Sequence, residues 1–478
     1  MNFRLTLHVL GGLLLFLAAT LIVPIPFALV YGDGQWDAFV LSAAVTGGSG
    51  AFLFRYFRRR DEVSLREGFA IVTFAWIAFA LFGGLPYLFS GALPNPVDAF
   101  FESMSGFTTT GASVMTDIEA NAKSVLFWRA LTQWLGGMGF IVLGVAILPL
   151  LGVGGMQLYQ AEAAGPSADR LTPRIQDTAR YLWGVYVFIT AAGVALLWAG
   201  EMDFFDALCH TFTAMATGGF STRNDSLASF GSYTHIVTVV LMLMGSLSFS
   251  LHYFALRGDV RKYWTSEEFR WYMVILAVVV VVIVGVNWSD YDSLLLNARD
   301  STFTVVSIVS TTGFATADYE RWPMLAQGML FTAMFLGGCA GSTAGSLKQV
   351  RVVLLLKHAL LQTVRLVHPT QVVVLKLDRR PVSADIMEGV LGFTVLFFGV
   401  FIAGALLLTA AGIDLITAGS GAIACLSTVG PGLGDVGPTD NYAGLPHFGK
   451  LMLCGVMLLG RLEVFTVLVL LSATFWKK

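Results

Sequence analysis

The sequence predicts an all-α integral membrane protein with four similar repeats around a pseudo-fourfold axis, preceded by two leading transmembrane helices. The first observation is composition: of 478 residues, 56% are hydrophobic and only 13% are charged, about half the charged share of a soluble domain. The second is a series of apolar segments long enough to cross a bilayer. The third is a Thr/Gly-rich string that recurs four times between those segments.

About ten apolar segments reach the length that a transmembrane helix needs, roughly 20 residues. The first, residues 7–31, is too long for the core of a signal peptide and lacks a convincing cleavage site, so we interpret it as a retained helix. The predicted spans cover residues 7–31, 36–56, 66–90, 124–152, 181–200, 234–256, 271–289, 325–346, 387–412 and 447–474.

Four further apolar stretches are too short to cross a bilayer and are predicted to be re-entrant half-helices. In three of them an aspartate, Asp98, Asp206 or Asp300, lies 12 or 13 residues before the glycine of the string that follows. It is predicted to cap the half-helix, because a carboxylate accepts hydrogen bonds at a helix N-terminus. Asp414 stands further from its string and departs from this pattern. The four stretches lie near residues 97–107, 204–216, 300–311 and 414–427.

The distribution of Lys and Arg predicts the orientation of the chain. One set of connections is basic, and the opposite set is poor in Lys and Arg and tends to be acidic. Because basic connections stay in the cytoplasm, we expect the basic set and both termini to be cytoplasmic and the half-helices to lie on the outer side. The basic connections lie around residues 55–60, 170–180, 257–270 and 348–380, and Lys477 and Lys478 end the chain.

Each short stretch is followed by a related string with Thr and Gly at matching places. Anchoring on one glycine per string, Gly111, Gly218, Gly313 and Gly430, predicts four repeats of span, half-helix, string and span. The strings read FTTTGAS (107–113), MATGGFS (215–221), STTGFAT (310–316) and STVGPGL (427–433). The predicted units are a leading segment at 1–62 and repeats at 63–165, 166–265, 266–375 and 376–478.

An extended string at membrane depth exposes backbone carbonyls, which are tolerated only when they are buried in protein or line a watery path. Four strings around one axis would form rings of carbonyls able to replace the hydration shell of a monovalent cation. Glycine permits the backbone angles that such a string needs, and each half-helix would aim its partly negative C-terminal end at the centre. The alternative, that the strings are small-residue contacts between packed helices, explains one copy better than four.

With these four strings, each between a half-helix and a span, the sequence resembles the Trk/Ktr/HKT superfamily of potassium transport proteins over nearly its whole length. The two leading spans are similar to its TrkH branch rather than to the shorter Ktr type. The resemblance implies a selectivity filter formed by one chain, in which backbone carbonyls bind K⁺. The implied ion-binding residues are Thr109, Thr110, Gly111, Ala216, Thr217, Gly218, Thr311, Thr312, Gly313, Thr428, Val429 and Gly430.

Two of these strings bear on which ion the resemblance implies. Gly111 favours K⁺, because some Na⁺-carrying relatives have Ser at the first filter glycine. Val429-Gly430-Pro431 departs from the family's Thr-Gly-Phe, although a hydrophobic residue at the first of these positions still offers its backbone carbonyl.

A glycine-rich segment, GGCAGSTAGSLK from Gly337 to Lys348, interrupts the second span of the third repeat. A continuous helix is not expected there, and neither a phosphate-binding loop nor a dinucleotide fingerprint fits the spacing. The alternative is a contact surface of small residues between helices. The resemblance implies that the segment is an intramembrane loop that gates the pore below the filter, with gating glycines Gly337, Gly338, Gly341 and Gly345.

Arg461 stands deep inside the last apolar segment, where a charge is costly unless it faces a pore or a partner. A snorkelling pair with Glu463 is one interpretation, but residues two apart do not share a helix face. We prefer the role that the resemblance implies, in which Arg461 lies in the pore below the filter, holds the gating loop and limits leak of cations. Glu463 is then expected to face a neighbouring repeat or subunit.

The resemblance also implies partners: a second copy in a homodimer and a cytoplasmic nucleotide-binding regulatory subunit of the TrkA type. Since no nucleotide-binding motif occurs in the sequence, any nucleotide dependence is expected to come from that subunit. No cofactor is expected in this chain, and K⁺ is the transported ion. Membrane lipids surround the chain in the bacterial inner membrane. A net charge of −2 without a basic face gives no sign of nucleic-acid binding.

Potassium-selective uptake through a filter, without enzymatic activity, is the function that these features favour. An ion-coupled symporter that moves K⁺ with H⁺ or Na⁺, or a Na⁺-conducting relative, is the alternative, because discontinuous helices also suit coupled transport. A membrane enzyme is less favoured, since it needs clustered acid, base or metal-binding side chains and the sequence has isolated ones. Four scattered cysteines favour neither a disulfide framework nor a zinc site.

Overall fold

Helices form almost every element of the protein, and the prediction of an all-α membrane protein is confirmed. A small hairpin of β1 (Lys376–Leu377) and β2 (Arg380–Pro381) is antiparallel, with Lys376 opposite Pro381. The computed structural model describes residues 2–58, 64–139, 175–369, 371 and 374–477. The rest of the span predicted at 124–152 and the predicted basic residues Arg59, Arg60, Arg170 and Arg174 lie outside the described residues.

The leading segment is a pair of helices whose backbones touch. Helix α1 (Phe3–Thr20), followed by α2 (Ile25–Tyr31), packs on α3 (Trp36–Tyr56). Where the two cross, a β-carbon on Gly11 would lie 2.8 Å from the carbonyl oxygen of Gly50. Small residues allow this close packing, which substitutes for a hydrophobic driving force between helices in a membrane.

The first two repeats each contain a long helix, a short helix and a further helix behind the string. The short helices, α6 and α9, correspond to the half-helices predicted at 97–107 and 204–216. The described helices of the first repeat are α4 (Leu65–Gly83), α5 (Leu85–Phe89), α6 (Pro96–Phe107) and α7 (Lys123–Gly137). Those of the second are α8 (Ile175–Trp198), α9 (Phe204–Met215), α10 (Ser232–Ser246), α11 (Phe249–Leu256) and α12 (Arg261–Thr265).

The third and fourth repeats follow the same order, with short helices α14 and α18 at the predicted half-helices. The helices of the third repeat are α13 (Glu267–Val286), α14 (Leu294–Val309), α15 (Met324–Ala333) and α16 (Gln349–Val367). Those of the fourth are α17 (Ala384–Ala410), α18 (Leu415–Leu426), α19 (His447–Arg461), α20 (Phe465–Leu471) and α21 (Ala473–Trp476). Short 3₁₀ turns lie at Asn287–Ser289, Tyr319–Arg321 and Tyr442–Gly444.

Six stretches of the described chain are long and apolar enough to cross a membrane as continuous or nearly continuous helices. They correspond to six of the predicted spans. They are Phe3–Tyr31, Trp36–Tyr56, Arg66–Phe89, Asp177–Trp198, Glu267–Ser289 and Ala384–Ala410.

Two predicted spans, 234–256 and 447–474, are broken rather than continuous. The axes of α10 and α11 differ by 106°, and those of α19 and α20 differ by 118°. The backbone is extended at Leu247 in the first break. It takes positive φ angles at Glu463 (54°) and Val464 (53°) in the second. Neither conformation continues an α-helix, and hydropathy alone does not reveal such a break.

The three predicted aspartate caps are wrong, and the exception is a true cap. The N-cap positions of the half-helices α6, α9 and α14 are occupied by Asn95, Asp203 and Ser293. The aspartates inside the helices are Asp98, Asp206 and Asp300. Asp414 does cap α18, accepting hydrogen bonds from the amides of residues 416 and 417 at 2.9 and 3.1 Å. A cap must directly precede the first helical residue, which spacing from a distant glycine does not fix.

Candidate functional site

The four short helices end in the same local geometry. In each, the amide two residues after the C-cap residue of the helix donates to the carbonyl five residues before it, at 2.8 to 2.9 Å. This bond closes the helix end and starts an extended segment from a fixed point. The donors and acceptors are Thr110 and Ser105, Gly218 and Thr213, Thr312 and Ser307, and Val429 and Ala424.

A threonine with left-handed backbone angles begins a Thr-x-Gly triplet in each string, and we call it the first threonine of its string. Such angles are rare for a β-branched residue, so their occurrence at four matching places marks one backbone device used four times. These residues are Thr109 (φ 54°), Thr217 (φ 52°), Thr311 (φ 58°) and Thr428 (φ 53°). Two positions later each string has a glycine with positive φ: Gly111 (82°), Gly219 (75°), Gly313 (82°) and Gly430 (97°).

The second string is therefore shifted by one residue from its predicted register. The structural equivalent of Thr109-Thr110-Gly111 is Thr217-Gly218-Gly219, whereas the prediction was Ala216-Thr217-Gly218. Ala216 is the C-cap residue of α9 and corresponds to Thr108 in the first repeat. Two adjacent glycines in MATGGFS make the sequence ambiguous, and anchoring on the first one gave the error.

The four strings contact one another in a closed cycle. A β-carbon on Gly111 would lie 2.1 Å from the carbonyl oxygen of Gly218, and one on Gly219 would lie 2.0 Å from that of Thr312. A β-carbon on Gly313 would meet the Val429 oxygen at 1.9 Å, and one on Gly430 would meet the Thr110 oxygen at 2.6 Å. Each string thus contacts the next, and the fourth contacts the first. We call the carbonyls of Thr110, Gly218, Thr312 and Val429 the ring carbonyls.

Hydroxyl groups brace the first and third strings against their own helices. The Thr110 hydroxyl hydrogen-bonds to that of Thr108 at 2.8 Å, and the Thr312 hydroxyl to that of Ser310 at 2.7 Å. All four side chains are fully buried. Because buried polar groups are costly without a partner, these pairs satisfy the hydroxyl groups and fix the side chains beside the strings.

A buried ion pair supports the last residues of the first two strings, Ser113 and Ser221. Arg129 on α7 donates through Nε to Glu102 on α6 at 2.6 Å, and both side chains are at most 2% exposed. Its Nη1 donates to the Ser221 carbonyl at 2.9 Å, and its Nη2 to the Ser113 hydroxyl at 3.1 Å. A buried pair persists when further hydrogen bonds satisfy both groups, as the Val114 amide does for Glu102 at 2.8 Å.

The interrupted span of the third repeat forms a closed loop. Helix α15 ends at Ala333, and α16 begins at Gln349. The Gly337 amide donates to the Leu347 carbonyl at 2.9 Å, joining the two ends of the loop. The predicted interruption is therefore present, and it contains the four glycines that the sequence singled out: Gly337, Gly338, Gly341 and Gly345.

The loop packs against the breaks and string ends of the neighbouring repeats. The Cys339 amide donates to the Ser246 carbonyl at 2.8 Å, where α10 ends. The Thr343 hydroxyl lies 2.9 Å from the Gly245 carbonyl and 3.1 Å from the Met215 carbonyl. The bend between α10 and α11 is thus occupied by the loop.

The tip of the loop touches the first threonine of three strings. The Gly345 amide donates to the Thr311 hydroxyl at 2.8 Å, and the Thr217 hydroxyl donates to that of Thr343 at 3.2 Å. A β-carbon on Gly345 would lie only 2.1 Å from the Thr428 hydroxyl. The loop therefore lies directly beneath the strings.

Arg461 contacts the remaining first threonine, Thr109, so that the loop and Arg461 together form one layer beneath the four strings. Its Nη1 donates to the Thr109 hydroxyl at 3.1 Å and to the Thr343 carbonyl at 2.8 Å. Its Nη2 donates to the carbonyls of Gly136 and Gly137, the latter at 2.9 Å. The guanidinium thus joins the first string, the loop and the end of α7.

Glu463 pairs with Arg351 of α16. The Arg351 guanidinium also lies 3.8 Å from the ring centre of Phe393 on α17. The expectation that Glu463 faces a neighbouring repeat fits this contact, since Arg351 follows the loop of the third repeat.

Two cavities flank this layer and share no lining residue. One, of about 90 Å³, reaches the strings at Gly111, Gly219 and Gly313. The other, of about 180 Å³, lies against the loop and is lined by Gly345 and Arg461 among others. Gly345 and Arg461, which line the second cavity, also contact the strings at Thr311 and Thr109.

Sequence reasoning missed four polar residues that support this site. Glu102 and Arg129 form the ion pair behind the strings, and Gln133 contacts the second string. Glu268 on α13 holds the loop, as its Oε1 accepts from the amides of Ala340 at 2.8 Å and Val350 at 2.9 Å. The available signal was their position: each is a polar residue within or at the edge of an apolar helix, where such residues are rare unless functional.

Known proteins resemble this chain along its full length. The sequence model of the TrkH family, described as a cation transport protein, matches residues 38–478. The Trk system potassium uptake protein TrkH of Halomonas elongata is 42% identical over 488 residues, and that of Escherichia coli K12 is 41% identical over 486, each with 100% of both chains covered. The crystal structure of the potassium transporter TrkH from Vibrio parahaemolyticus matches with a TM-score of 0.90 at 36% identity, covering 100% of both chains.

Proposed function

Because the chain belongs to the TrkH family of cation transport proteins, we propose that it takes up potassium ions across the bacterial inner membrane through a filter formed by one chain. The observation that carries this proposal is the closed cycle of the four strings. Each string presents one ring carbonyl next to the glycine of its neighbour. Four carbonyls around one axis can replace the water molecules of a dehydrated monovalent cation.

The chemistry of the cycle favours a monovalent cation over a divalent one. The ring offers neutral backbone dipoles, and the negative ends of four short helices point toward it, so the cation is stabilised without a carboxylate that would bind it too tightly. The proposed K⁺-binding residues are the structural triplets Thr109, Thr110, Gly111; Thr217, Gly218, Gly219; Thr311, Thr312, Gly313; and Thr428, Val429, Gly430.

The loop from Gly337 to Lys348 and Arg461 form the proposed gate. Support comes from their place in the lining of the second cavity and from their contacts with the first threonine of every string. The positive charge of Arg461 directly beneath the strings opposes the passage of cations. Opening therefore requires that the loop and this guanidinium leave the axis together.

Control of the gate is assigned to a cytoplasmic partner. The curated relatives are named as members of a Trk system, and we propose that this chain works in such a system, as a homodimer with a nucleotide-binding regulatory subunit. The basic connections and both termini then face the cytoplasm. Helix α16 starts directly at the end of the loop, so a force on α16 from that side would reach the gate.

Reconstituted protein tests the function directly. Purified protein is reconstituted in liposomes without any partner, and K⁺ or Na⁺ is added outside at the same concentration. We expect the protein to take up K⁺ in preference to Na⁺. Equal uptake of the two ions would contradict the filter. Accumulation of K⁺ against its own gradient, driven by an imposed H⁺ or Na⁺ gradient, would instead favour coupled symport.

Glu268 is expected to keep the loop in its closed position through one carboxylate oxygen. Replacing it with alanine removes the acceptor for the amides of Ala340 and Val350, so these amides should exchange hydrogen about tenfold faster, the loss of roughly one buried hydrogen bond. Glu268→Gln keeps an oxygen at this position and should exchange like the wild type.

The neighbouring residue provides the control for this measurement by hydrogen-exchange mass spectrometry. Glu267 pairs with Lys357 and contacts the hairpin residue Asp378 instead of the loop. Glu267→Ala is therefore expected to leave exchange of residues 337–350 unchanged. Unchanged exchange in Glu268→Ala would show that the carboxylate does not hold the loop.

A further inference from the structure

The second string lacks the hydroxyl brace of the first and third. Where those strings have Thr108 with Thr110 and Ser310 with Thr312, the second has Ala216 and Gly218. Neither residue has a hydroxyl, and Gly218 has no side chain at all. The backbone of the second string nevertheless follows the same path, with the same helix-closing bond and the same positive φ angles. A residue of α7 contacts this string instead.

Gln133 on α7 occupies the space where a side chain of residue 218 would lie. A β-carbon on Gly218 would fall 2.4 Å from Cδ, 2.5 Å from Oε1 and 2.8 Å from Nε2 of Gln133. The Gln133 side chain is fully buried. The glycine at 218 and the glutamine at 133 thus fit together, although 85 residues separate them in the chain.

The amide of Gln133 bonds to the backbone on both sides of Gly219. Its Nε2 donates to the ring carbonyl of Gly218 at 2.7 Å, and its Oε1 accepts from the Phe220 amide at 3.1 Å. A backbone N–H can only donate and a carbonyl can only accept, so these partners determine which end of the side-chain amide faces which group. The two hydrogen bonds therefore lie on either side of Gly219, the residue that contacts the Thr312 carbonyl in the cycle.

We propose that Gln133 substitutes for the missing side chain of the second string and is a positioning residue for ion selectivity. It holds the Gly218 carbonyl at its place in the ring, and because it donates a hydrogen bond to this oxygen, it also makes this corner of the ring a weaker ligand for the cation than a free carbonyl. The inference rests on the proposed function, since it assigns the Gly218 carbonyl to the K⁺ site.

The test is a set of single and double variants at the two positions. Gln133→Ala leaves the Gly218 carbonyl and the Phe220 amide without this partner, and Gly218→Thr places a side chain against Gln133. Each single variant should lower the ratio of K⁺ to Na⁺ uptake in liposomes by about tenfold, the equivalent of one buried hydrogen bond. Gly218→Thr combined with Gln133→Ala should recover most of the ratio, because threonine then fills the vacated space.

Two further variants separate positioning from folding. Gln133→Glu keeps the shape and the acceptor for Phe220 but turns an oxygen toward the Gly218 carbonyl, so it should fold and still lose selectivity. Ser124→Ala, a buried polar residue near the start of the same helix, should leave selectivity unchanged. The K⁺-dependent rise in melting temperature of detergent-solubilised protein gives a second readout for each variant.

The outcomes distinguish this inference from the proposed function. Wild-type protein that fails to discriminate K⁺ from Na⁺ would overturn the function itself. Wild-type discrimination with unchanged ratios in Gln133→Ala and Gln133→Glu would overturn only the role of Gln133. Single variants that lose selectivity without recovery in the double variant would show that Gln133 does not act as a substitute for the side chain at position 218.

Discussion

Replacing Gly219 with alanine is expected to abolish potassium-selective uptake, although the prediction from sequence did not include this residue. Gly219 has φ +75°, and a β-carbon there would lie 2.0 Å from the backbone carbonyl oxygen of Thr312. No side-chain rotation relieves this contact, so the ring carbonyl of the third string must move. A left-handed alanine adds a cost of about 1 to 3 kcal/mol of its own. Uptake should fall by at least about a hundredfold.

Gly91→Ala is the matched control for the backbone angle. Gly91 has almost the same φ, +74°, but a β-carbon there would have no atom within 4 Å. It should therefore keep selective uptake, with only a small loss of stability. The measurement is K⁺ and Na⁺ uptake by liposomes that contain equal amounts of folded protein. Wild-type selectivity in Gly219→Ala would contradict the closed cycle of strings.

The same comparison tests the register of the second string. If Ala216-Thr217-Gly218 were the ion-binding triplet, a change at Ala216 would be as harmful as one at Thr109. In the structural register Ala216 only closes the end of α9, and Ala216→Ser is expected to retain selectivity. Strong loss of selectivity in Ala216→Ser with little loss in Gly219→Ala would restore the register predicted from sequence.

The sequence predicted the repeated elements because their signals are local. A short apolar stretch followed by Thr and Gly identifies each half-helix and its string, and the glycine-rich segment at Gly337 identifies the interruption of a span. Which glycine of MATGGFS aligns with Gly111 is not determined by such a local signal. Whether Gly218 or Gly219 takes positive φ depends on which residue closes α9 and on contact with Thr312 of another repeat.

Contacts between distant segments also explain what the sequence did not predict. Glu102 and Arg129 lie on two helices of one repeat, and Gln133 reaches a string of the next repeat. Asp300 was assigned as a cap although Asn297, Ser301 and the start of α14 place it inside the helix. A single sequence shows that such residues are polar and enclosed by apolar neighbours, but the partner of each is set by the packing of the repeats.

Replacing Arg461 with alanine is expected to raise ion flux in the absence of any partner. The substitution removes the hydrogen bonds from this side chain to the Thr109 hydroxyl, to the Thr343 carbonyl and to the end of α7 at Gly137. It also removes a positive charge from directly beneath the strings, on the path proposed for the cation. Either loss lowers the barrier, and flux should rise by about tenfold or more, which corresponds to roughly 1.4 kcal/mol.

Arg461→Lys separates the two contributions. Lysine keeps the positive charge but cannot make the fan of hydrogen bonds that a planar guanidinium makes to several partners at once. If charge dominates, Arg461→Lys stays as closed as the wild type; if the contacts with the loop dominate, it leaks like Arg461→Ala. Flux is measured in liposomes, with the K⁺ to Na⁺ ratio as a check on the strings, which should remain intact. Folded Arg461→Ala protein with wild-type flux would contradict the proposed gate. Loss of expression without a change in flux per folded molecule would assign Arg461 a structural role, because the strings and the loop would then close the path without it.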